Sequence, residues 1–283
     1  MMVPLNNVLV IGLGMMGASL CSSIRKNKLS KNIIGYDLSR KNLSYARKER
    51  VIDEALTSIS KMGNPDLIIL CTPLNTHVNI ISEIIKYASK KIILTDIGSS
   101  KGNISSNIYK LTVKSKVEYL SSHPMAGSEK TGPRNLIPDM FLNKVVFLID
   151  KSKCSKSTYN KLASFWKSLG SYTYDLDSKE HDILMSETSH ISHLMSYVFM
   201  LTLPQRIIDN NLSLLLGGGI REHVRLSQSS SEMWADIFIN NKNNLLKSIT
   251  RVEKNLKFFR KLINDSEEKK LMSILKKINN KTK

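Results

Sequence analysis

The residues of this chain whose types and spacing could perform chemistry concentrate in the segment 121–132, which reads SSHPMAGSEKTG. It places the imidazole of His123 close in sequence to the carboxylate of Glu129, in a stretch that follows an apolar run and contains two glycines and a proline. Such a stretch makes a poor core and a good site, so we predict a loop that presents these side chains. The setting favours a catalytic over a structural histidine, with proton transfer as its chemistry.

A second group of chemically informative residues is the glycine pattern near the N-terminus. It runs from Gly12 through Leu13, Gly14, Met15 and Met16 to Gly17, directly after the apolar run VLVI and at the start of a helical segment. In this context the first glycine makes a tight turn, the second lets backbone N–H groups approach a pyrophosphate, and the third allows close helix-strand packing. The pattern predicts a dinucleotide site.

The expected cofactor is NAD rather than NADP. Asp37 lies 20 residues beyond Gly17 at the end of the second predicted strand, where its carboxylate can accept the ribose hydroxyls and repel a 2′-phosphate. Arg40 is close enough in sequence to weaken this preference. Thr72, Pro73 and Gly98 follow two further buried strands, so we predict that they form the nicotinamide end of the cleft.

The elements that must position these residues are short β-branched runs that alternate with helical segments. The runs are 8–12, 32–37, 66–70, 91–96, 117–121, 144–150 and 171–176. Most are almost continuously apolar, as strands covered on both faces should be. The alternation predicts an α/β fold with a doubly wound parallel sheet of the Rossmann type and right-handed crossovers.

The strand pattern stops after residue 178, and the remainder reads as helices interrupted by Pro204 and by a run of three glycines from Gly217. We therefore predict two domains, a dinucleotide-binding domain at 1–177 and an all-helical substrate and dimerisation domain at 178–283. The apolar runs 194–203 and 212–216 are hydrophobic nearly all round, which favours an oligomer interface in the helical part.

The charge of the chain raises the question of a polyanionic partner. The 42 Lys and Arg residues against 24 Asp and Glu give a formal net charge of +18, which is typical of nucleic-acid binders. However, only 10 of these basic residues are Arg, the residue that base-edge recognition favours, and no single arm carries the excess. We expect a lysine-rich surface, with steering of small anions as its functional effect, and no nucleic-acid partner.

The same composition predicts where the protein works. Cys21, Cys71 and Cys154 have no paired spacing, so they suggest neither disulfides nor a zinc site. The N-terminus lacks the features of a signal peptide, and the apolar runs fall short of the ~20 residues that a bilayer span needs. We predict a soluble cytoplasmic protein without a membrane partner or a metal.

At 121–132 the sequence resembles the prephenate and arogenate dehydrogenases of tyrosine biosynthesis, which carry His-Pro-(Met/Ile)-Ala-Gly-(Ser/Thr)-Glu-Lys-(Ser/Thr)-Gly in the same place. Further similar motifs follow in the family's order. They are the glycine pattern 12–17, the turn 96–101 (DIGSSK), 180–182 (EHD), 189–193 (SHISH), 217–225 (GGGIREHVR) and 234–238 (WADIF). The resemblance covers residues 5–260; one departure is Ser192, where the family commonly has a proline that kinks the helix.

The resemblance implies an NAD-dependent oxidative decarboxylation of prephenate to 4-hydroxyphenylpyruvate. A hydride leaves the ring carbon that bears the hydroxyl, and the ring carboxylate departs as CO2. By the same resemblance His123 accepts the hydroxyl proton as a neutral base, Ser99 hydrogen-bonds near that hydroxyl, and Glu129 orders the site.

The resemblance also implies a set of substrate-binding residues and a homodimer. Arg225 matches the arginine that binds a substrate carboxylate, since a guanidinium pairs with a carboxylate through two hydrogen bonds. Arg221 matches a basic residue that reaches a neighbouring subunit, and Gly218 lies in the same motif. His181 and His193 match pocket residues, and their spacing lacks the paired pattern of a zinc site.

Three alternatives remain open from the sequence. The first is arogenate dehydrogenase, whose substrate carries an amine in place of the side-chain keto group. The second is another oxidoreductase built from a Rossmann domain and a helical dimer domain, such as a β-hydroxyacid dehydrogenase or a pyrroline-5-carboxylate reductase. The third is a nucleotide sensor or nucleic-acid binder that kept the fold, although it would have no use for the 123–129 cluster.

Overall fold

The computed structural model describes residues 3–204 and 217–281 of the chain. The apolar run 212–216 from the sequence analysis lies outside these described residues.

The N-terminal part contains a six-stranded parallel sheet with strand order β3-β2-β1-β4-β5-β6. Its strands are β1 (Leu5–Ile11), β2 (Ser30–Tyr36), β3 (Glu54–Ala55), β4 (Leu67–Leu70), β5 (Ile92–Asp96) and β6 (Val117–Tyr119). The order reverses between β1 and β4, and ligands of doubly wound sheets bind at such a switch point. The predicted doubly wound fold class is confirmed.

Alternate residues of the central strands face two separate hydrophobic clusters, which explains their continuous apolar runs. Val8 and Val10 of β1 face one cluster, and Leu9 and Ile11 face the other. Helix α1 (Met15–Lys26) covers the first face, and helices α3 (His77–Tyr87) and α4 (Gly102–Thr112) cover the second. Helix α2 (Arg40–Lys48) connects β2 to β3.

Three later strands form a second, separate sheet, in contrast to the single sheet that the sequence suggested. They are β7 (Ser121–Pro124), β8 (Val145–Ile149) and β9 (Tyr172–Leu176), in the order β7-β8-β9. Strand β7 runs antiparallel to β8. A parallel pairing would need a crossover connection, usually a helix, and the glycines and prolines between β7 and β8 disfavour one.

The predicted loop at 121–132 is therefore wrong at its start, because His123 lies on strand β7 and all four residues of that strand are buried. Strand β7 is not visible in the sequence pattern, because a four-residue strand next to glycines and prolines shows little periodicity. The predicted strand 117–121 ends at Tyr119, and Leu120 separates it from β7, which belongs to the second sheet.

The described residues after β9 are helical, as predicted. The helices are α6 (Ser178–Met185), α7 (Ile191–Thr202), α8 (Gly218–Ser227), α9 (Ser231–Asn240), α10 (Lys242–Asn264) and α11 (Glu268–Lys281). A π-helical turn, Ser186–His190, joins α6 to α7, and the N–H of Ile191 donates to the carbonyl of Ser186. Met185 of α6 packs on Phe147 and Ile149 of β8, so the start of the helical part packs against the second sheet. Helix α5 (Lys156–Ser168) covers the other face of that sheet.

A buried ion pair joins the main sheet to the second sheet. The Lys101 ammonium lies 2.6 Å from Asp96 Oδ2 and donates at 2.7 Å to the carbonyl of Ser122 on β7. Asp96 also accepts from the hydroxyls of Tyr119 and Ser121 and from the N–H of Gly98. Burial by itself raises the pKa of Asp96, but Lys101, His77 and the hydroxyl of Ser121 hold it at about 2.

Lys101→Met tests how strongly this pair stabilises the fold. We expect a loss of about 3–5 kcal/mol in the free energy of unfolding, because the carboxylate of Asp96 is left buried without its cation. Adding Asp96→Asn removes that charge, so the double variant should recover part of the loss. Denaturant unfolding of the three proteins measures both effects.

The control is Lys26→Met, which breaks the exposed pair between Lys26 and Asp139, whose nitrogen and oxygen are 2.7 Å apart. Its side chains are 56% and 50% exposed, so its loss should stay below about 1 kcal/mol. A Lys101→Met variant that is no less stable than this control contradicts the account.

Candidate functional site

The glycine turn lies between β1 and α1, and its three glycines have different surroundings. Gly12 has a φ of +95° and approaches the backbone of Cys71. A Cβ at Gly17 would lie 1.9 Å from the carbonyl oxygen of Gly12, so helix and turn are in contact there. A Cβ at Gly14 would meet no described atom within 4 Å, which leaves room at the helix N-terminus for a pyrophosphate.

Asp37 follows β2 and is tied to the glycine turn. Its Oδ2 accepts the N–H of Leu13 at 2.6 Å, and its Oδ1 accepts the N–H of Ser39 at 2.7 Å. The carboxylate is thus held beside the turn with further lone pairs for ribose hydroxyls. The N–H of Leu13 is used by Asp37, whereas Met15 and Met16 begin helix α1 at the open end.

The loops after β4 and β5 meet beside this turn. Thr72 accepts a hydrogen bond from Thr76 at 3.0 Å, and Pro73 next to it is exposed. Gly98 packs so closely on Leu74 that a Cβ would lie 2.2 Å from its side chain. Both loops therefore reach the carboxyl edge of the sheet, where their sequence positions placed them.

His123 and His181 form the centre of the site. His123 Nδ1 lies 2.8 Å from His181 Nε2, although the residues are 58 positions apart. His181 Nδ1 in turn lies 2.8 Å from Asp182 Oδ1. Ser99 is half-buried on the turn that leads from β5 to α4, and Lys101 at the end of that turn binds the carbonyl of the residue before His123.

Both imidazoles are neutral near pH 7. Burial, the neighbouring His181 and the Lys101 ammonium hold the pKa of His123 well below 6.5. Burial also lowers the pKa of His181, although Asp182 opposes this effect. No described residue bonds Nε2 of His123, so this nitrogen is available to a ligand.

A charged group formed by Glu129 and Arg225 lies at the rim of the site. The guanidinium of Arg225 lies 3.6 Å from Glu129 Oε2, and it binds both carboxylate oxygens of Glu222 at 2.6 and 3.0 Å. Arg225 is half-exposed. The structure therefore brings together two residues that the sequence proposed separately, and adds Glu222 to them.

His193 stacks on the indole of Trp234, with ring centroids 3.7 Å apart. Burial and the nearby Arg225 both lower the pKa of His193, so this residue lies between Trp234 and the charged group of Glu129 and Arg225. Gly218 and Arg221 lie on helix α8 before Arg225 and are exposed.

Sequence reasoning did not select His190, Asn241 or Asp182 as site residues. His190 is buried within the charge environment of His123, and burial lowers its pKa to about 4. The amide nitrogen of Asn241 donates to the carbonyl of Asp182 at 2.7 Å and lies 3.2 Å from His190 Nδ1. The motifs around Glu180 and Ser189 contained two of these residues, but nothing local in the sequence showed that they would be buried together.

Residues 3–204 and 217–281 contain no group of three or more His, Cys, Asp or Glu side chains that could hold a metal ion. None of their helices combines the length and the apolar character that crossing a membrane requires.

The family comparison matches nearly the whole chain. The model of the nucleotide-binding domain of prephenate dehydrogenase matches residues 20–174. The model of the dimerization domain of prephenate dehydrogenase matches residues 177–277.

Individual relatives agree with these matches. The prephenate dehydrogenase of Bacillus subtilis (strain 168) is 29% identical over 247 residues, which are 85% of this chain and 66% of that protein. The prephenate dehydrogenase of Lactococcus lactis subsp. cremoris (strain MG1363) is 28% identical over 89% of this chain and 70% of that protein. The chain thus spans about two thirds of the length of these two relatives.

A solved structure matches over almost its full length. It is the prephenate dehydrogenase from A. aeolicus in complex with hydroxyphenyl propionate and NAD+, with 29% identity, a TM-score of 0.89, and coverage of 99% of this chain and 98% of that chain. The first family model alone spans more than half of the 283 residues. The chain therefore belongs to the prephenate dehydrogenase family.

Proposed function

We propose that this chain catalyses the NAD-dependent oxidative decarboxylation of prephenate to 4-hydroxyphenylpyruvate, CO2 and NADH in tyrosine biosynthesis. The observation that carries the proposal is the neutral, buried His123, which is bonded through Nδ1 to His181 and bonded by no described residue at Nε2. The sequence motifs and the related A. aeolicus complex support the same assignment.

The residues of the glycine turn fit NAD as the cofactor, which accepts the hydride from the substrate. The open space at Gly14 suits a pyrophosphate, and Asp37 beside it suits an adenosine ribose with a free 2′-hydroxyl. Thr72, Pro73 and Gly98 would border the nicotinamide at the carboxyl edge of the sheet.

His123 acts as the base in the proposed reaction. Its Nε2 accepts the proton of the ring hydroxyl as a hydride leaves the carbon that bears this hydroxyl. Ser99 holds the hydroxyl in place by a hydrogen bond. The ring carboxylate then departs as CO2, and the electrons of its bond complete the aromatic ring. The imidazolium returns its proton to the forming phenol oxygen, so the overall reaction neither releases nor takes up a proton.

Arg225 binds a carboxylate of the substrate in this proposal. In the structure its guanidinium is held by Glu222 and Glu129, so the substrate must take over bonds that these carboxylates make. His181, His193, Arg221 and Gly218 complete the proposed substrate site, with Glu129 ordering its rim.

The proposed assembly is a homodimer through the helical part, in the cytoplasm and without a nucleic-acid or membrane partner. The match to a dimerization domain supports the dimer. Helix α7 supports it as well, since Val198 and Leu201 are 41% and 86% exposed in the single chain.

Steady-state kinetics with NAD and either prephenate or arogenate tests the activity. We expect a higher kcat/KM with prephenate, and His123→Asn should lower kcat about 100-fold or more, because the variant lacks the base. Binding of NAD to the variant should be unchanged, since His123 lies outside the glycine turn.

Preference for arogenate would assign the chain to the alternative substrate, and turnover of neither would refute the family activity for this protein. Wild-type turnover in the His123→Asn protein would remove His123 from the mechanism. Asn255→Ala, a change at an exposed position of helix α10, serves as the control for general effects of substitution.

The pH profile follows from the lowered pKa of His123. The base must be neutral, so activity is lost as the pH falls through this pKa, which lies well below 6.5. We expect kcat/KM for prephenate to stay constant on lowering the pH to 6.5 and to decline only at lower values. An acid limb centred above 6.5 contradicts the assignment, provided that NAD binding is constant over the same range.

Arg225→Lys tests the carboxylate contact. Lysine keeps the charge but loses the planar pair of donors, so we expect KM for prephenate to rise about tenfold or more with a smaller change in kcat. Arg251→Lys is the matched control, because Arg251 binds Glu187 at 2.6 Å on the surface of the helical part. Equal KM values for the two variants would show that Arg225 makes no such contact.

A further inference from the structure

Asp182 is a buried carboxylate shared by three donors from two parts of the fold. Its Oδ1 accepts the N–H of Lys101 at 2.9 Å, and its Oδ2 accepts the N–H of Gly102 at 2.7 Å. A Cβ at Gly102 would lie 2.9 Å from Oδ2, so the carboxylate sits tightly against the start of α4. The third donor is Nδ1 of His181.

These contacts determine which ring nitrogens carry protons. An ionised carboxylate only accepts, so His181 carries its proton on Nδ1 and presents a lone pair at Nε2. Because Nε2 of His181 then accepts, Nδ1 of His123 must be the donor of the 2.8 Å bond between the two rings. The neutral His123 therefore has its lone pair on Nε2, the form that a base requires.

We propose that Asp182 is a positioning residue that sets the tautomers of His181 and His123 and thereby makes Nε2 of His123 the accepting nitrogen. The inference rests on the proposed function and deepens it. Asp182 touches neither the substrate nor the cofactor in this account, and acts on the reaction through His181.

The surroundings of His181 show why Asp182 holds this role. The ring of Phe147 packs edge-on against His181 with centroids 5.8 Å apart, which orients the ring but cannot select a tautomer. Among the described residues, Asp182 is the hydrogen-bonding partner of Nδ1. The same carboxylate fixes the start of α4 and with it the turn that carries Ser99, so base and hydroxyl-binding turn share one anchor.

The charge of Asp182 also acts during turnover. When His123 takes the hydroxyl proton it becomes an imidazolium, which keeps its Nδ1 bond to His181. The carboxylate of Asp182, on the far side of His181, stabilises this cation without itself being protonated, as the aspartate does in a Ser-His-Asp triad.

Asp182→Asn tests the proposal with a change of similar shape. The amide can donate to Nδ1 of His181, which moves the proton to Nε2 and reverses the donor and acceptor between the rings. Nitrogen-15 NMR of the histidine rings should show His123 protonated at Nδ1 in the wild type and at Nε2 in the variant. We expect kcat for prephenate to fall about 100-fold or more, with NAD affinity unchanged.

Two comparisons separate this role from a purely structural one. Asp177→Asn makes the same substitution at the N-cap of the same helix, where Asp177 accepts the N–H of Glu180 at 2.8 Å, and it should leave kcat within about threefold of wild type. In a His181→Phe background, which keeps a ring and removes its nitrogens, Asp182→Asn should add less than about threefold, because its route to His123 is gone.

A full loss from Asp182→Asn in the His181→Phe background would overturn the proposal, as would wild-type kcat in Asp182→Asn alone. If the variant does not fold, the wild-type spectrum still decides, since a proton on Nε2 of neutral His123 overturns the proposal. Failure of the proposed function is distinguishable, because it would appear as absent prephenate turnover in the wild type while the NMR result stands.

Discussion

The buried pair of Asp96 and Lys101 is the interaction on which the rest of the site depends. It lies where β5 of the main sheet ends, and Lys101 reaches across to the carbonyl of Ser122 on the second sheet. Two charges in a dry interior are tolerated only with full hydrogen bonding, and Asp96 has four donors. The pair thus fixes the strand that carries His123 relative to the turn that carries Ser99, before any ligand binds.

The parts of the molecule that depend on neighbouring residues could be predicted from the sequence. The glycine turn, Asp37 at the end of β2 and the alternating strands and helices are local patterns, and the structure contains all of them. The strand β7 was missed because its four residues gain their extended form by pairing with β8, which begins 21 residues later. Asp182 was missed for a related reason, since its role depends on the backbone of Lys101, which lies 81 positions away.

The family resemblance supplied what local patterns could not, the roles of distant residues. It grouped His123 with His181 and Arg225 without showing their contacts. In the structure His123 and His181 are in contact within a buried region of neutral histidines. Arg225 lies in a separate, half-exposed region, where it has two carboxylate partners. The buried region suits a base with a lowered pKa, and the half-exposed region suits reversible capture of an anion.

The π-helical turn Ser186–His190 has a consequence for how this segment tolerates change. His190 lies nine positions after His181, about two and a half turns of a regular α-helix, which would put the two rings on opposite faces. The wider turn rotates His190 back toward His181, and burial together with the nearby His181 lowers the pKa of His190 to about 4. Removal of one residue here would leave a regular helix in which His190 lies eight positions after His181, about 80° around the axis, so His190 and His193 would keep their side of the helix. The π-helical turn thus accommodates one extra residue without changing the face that His190 and His193 occupy.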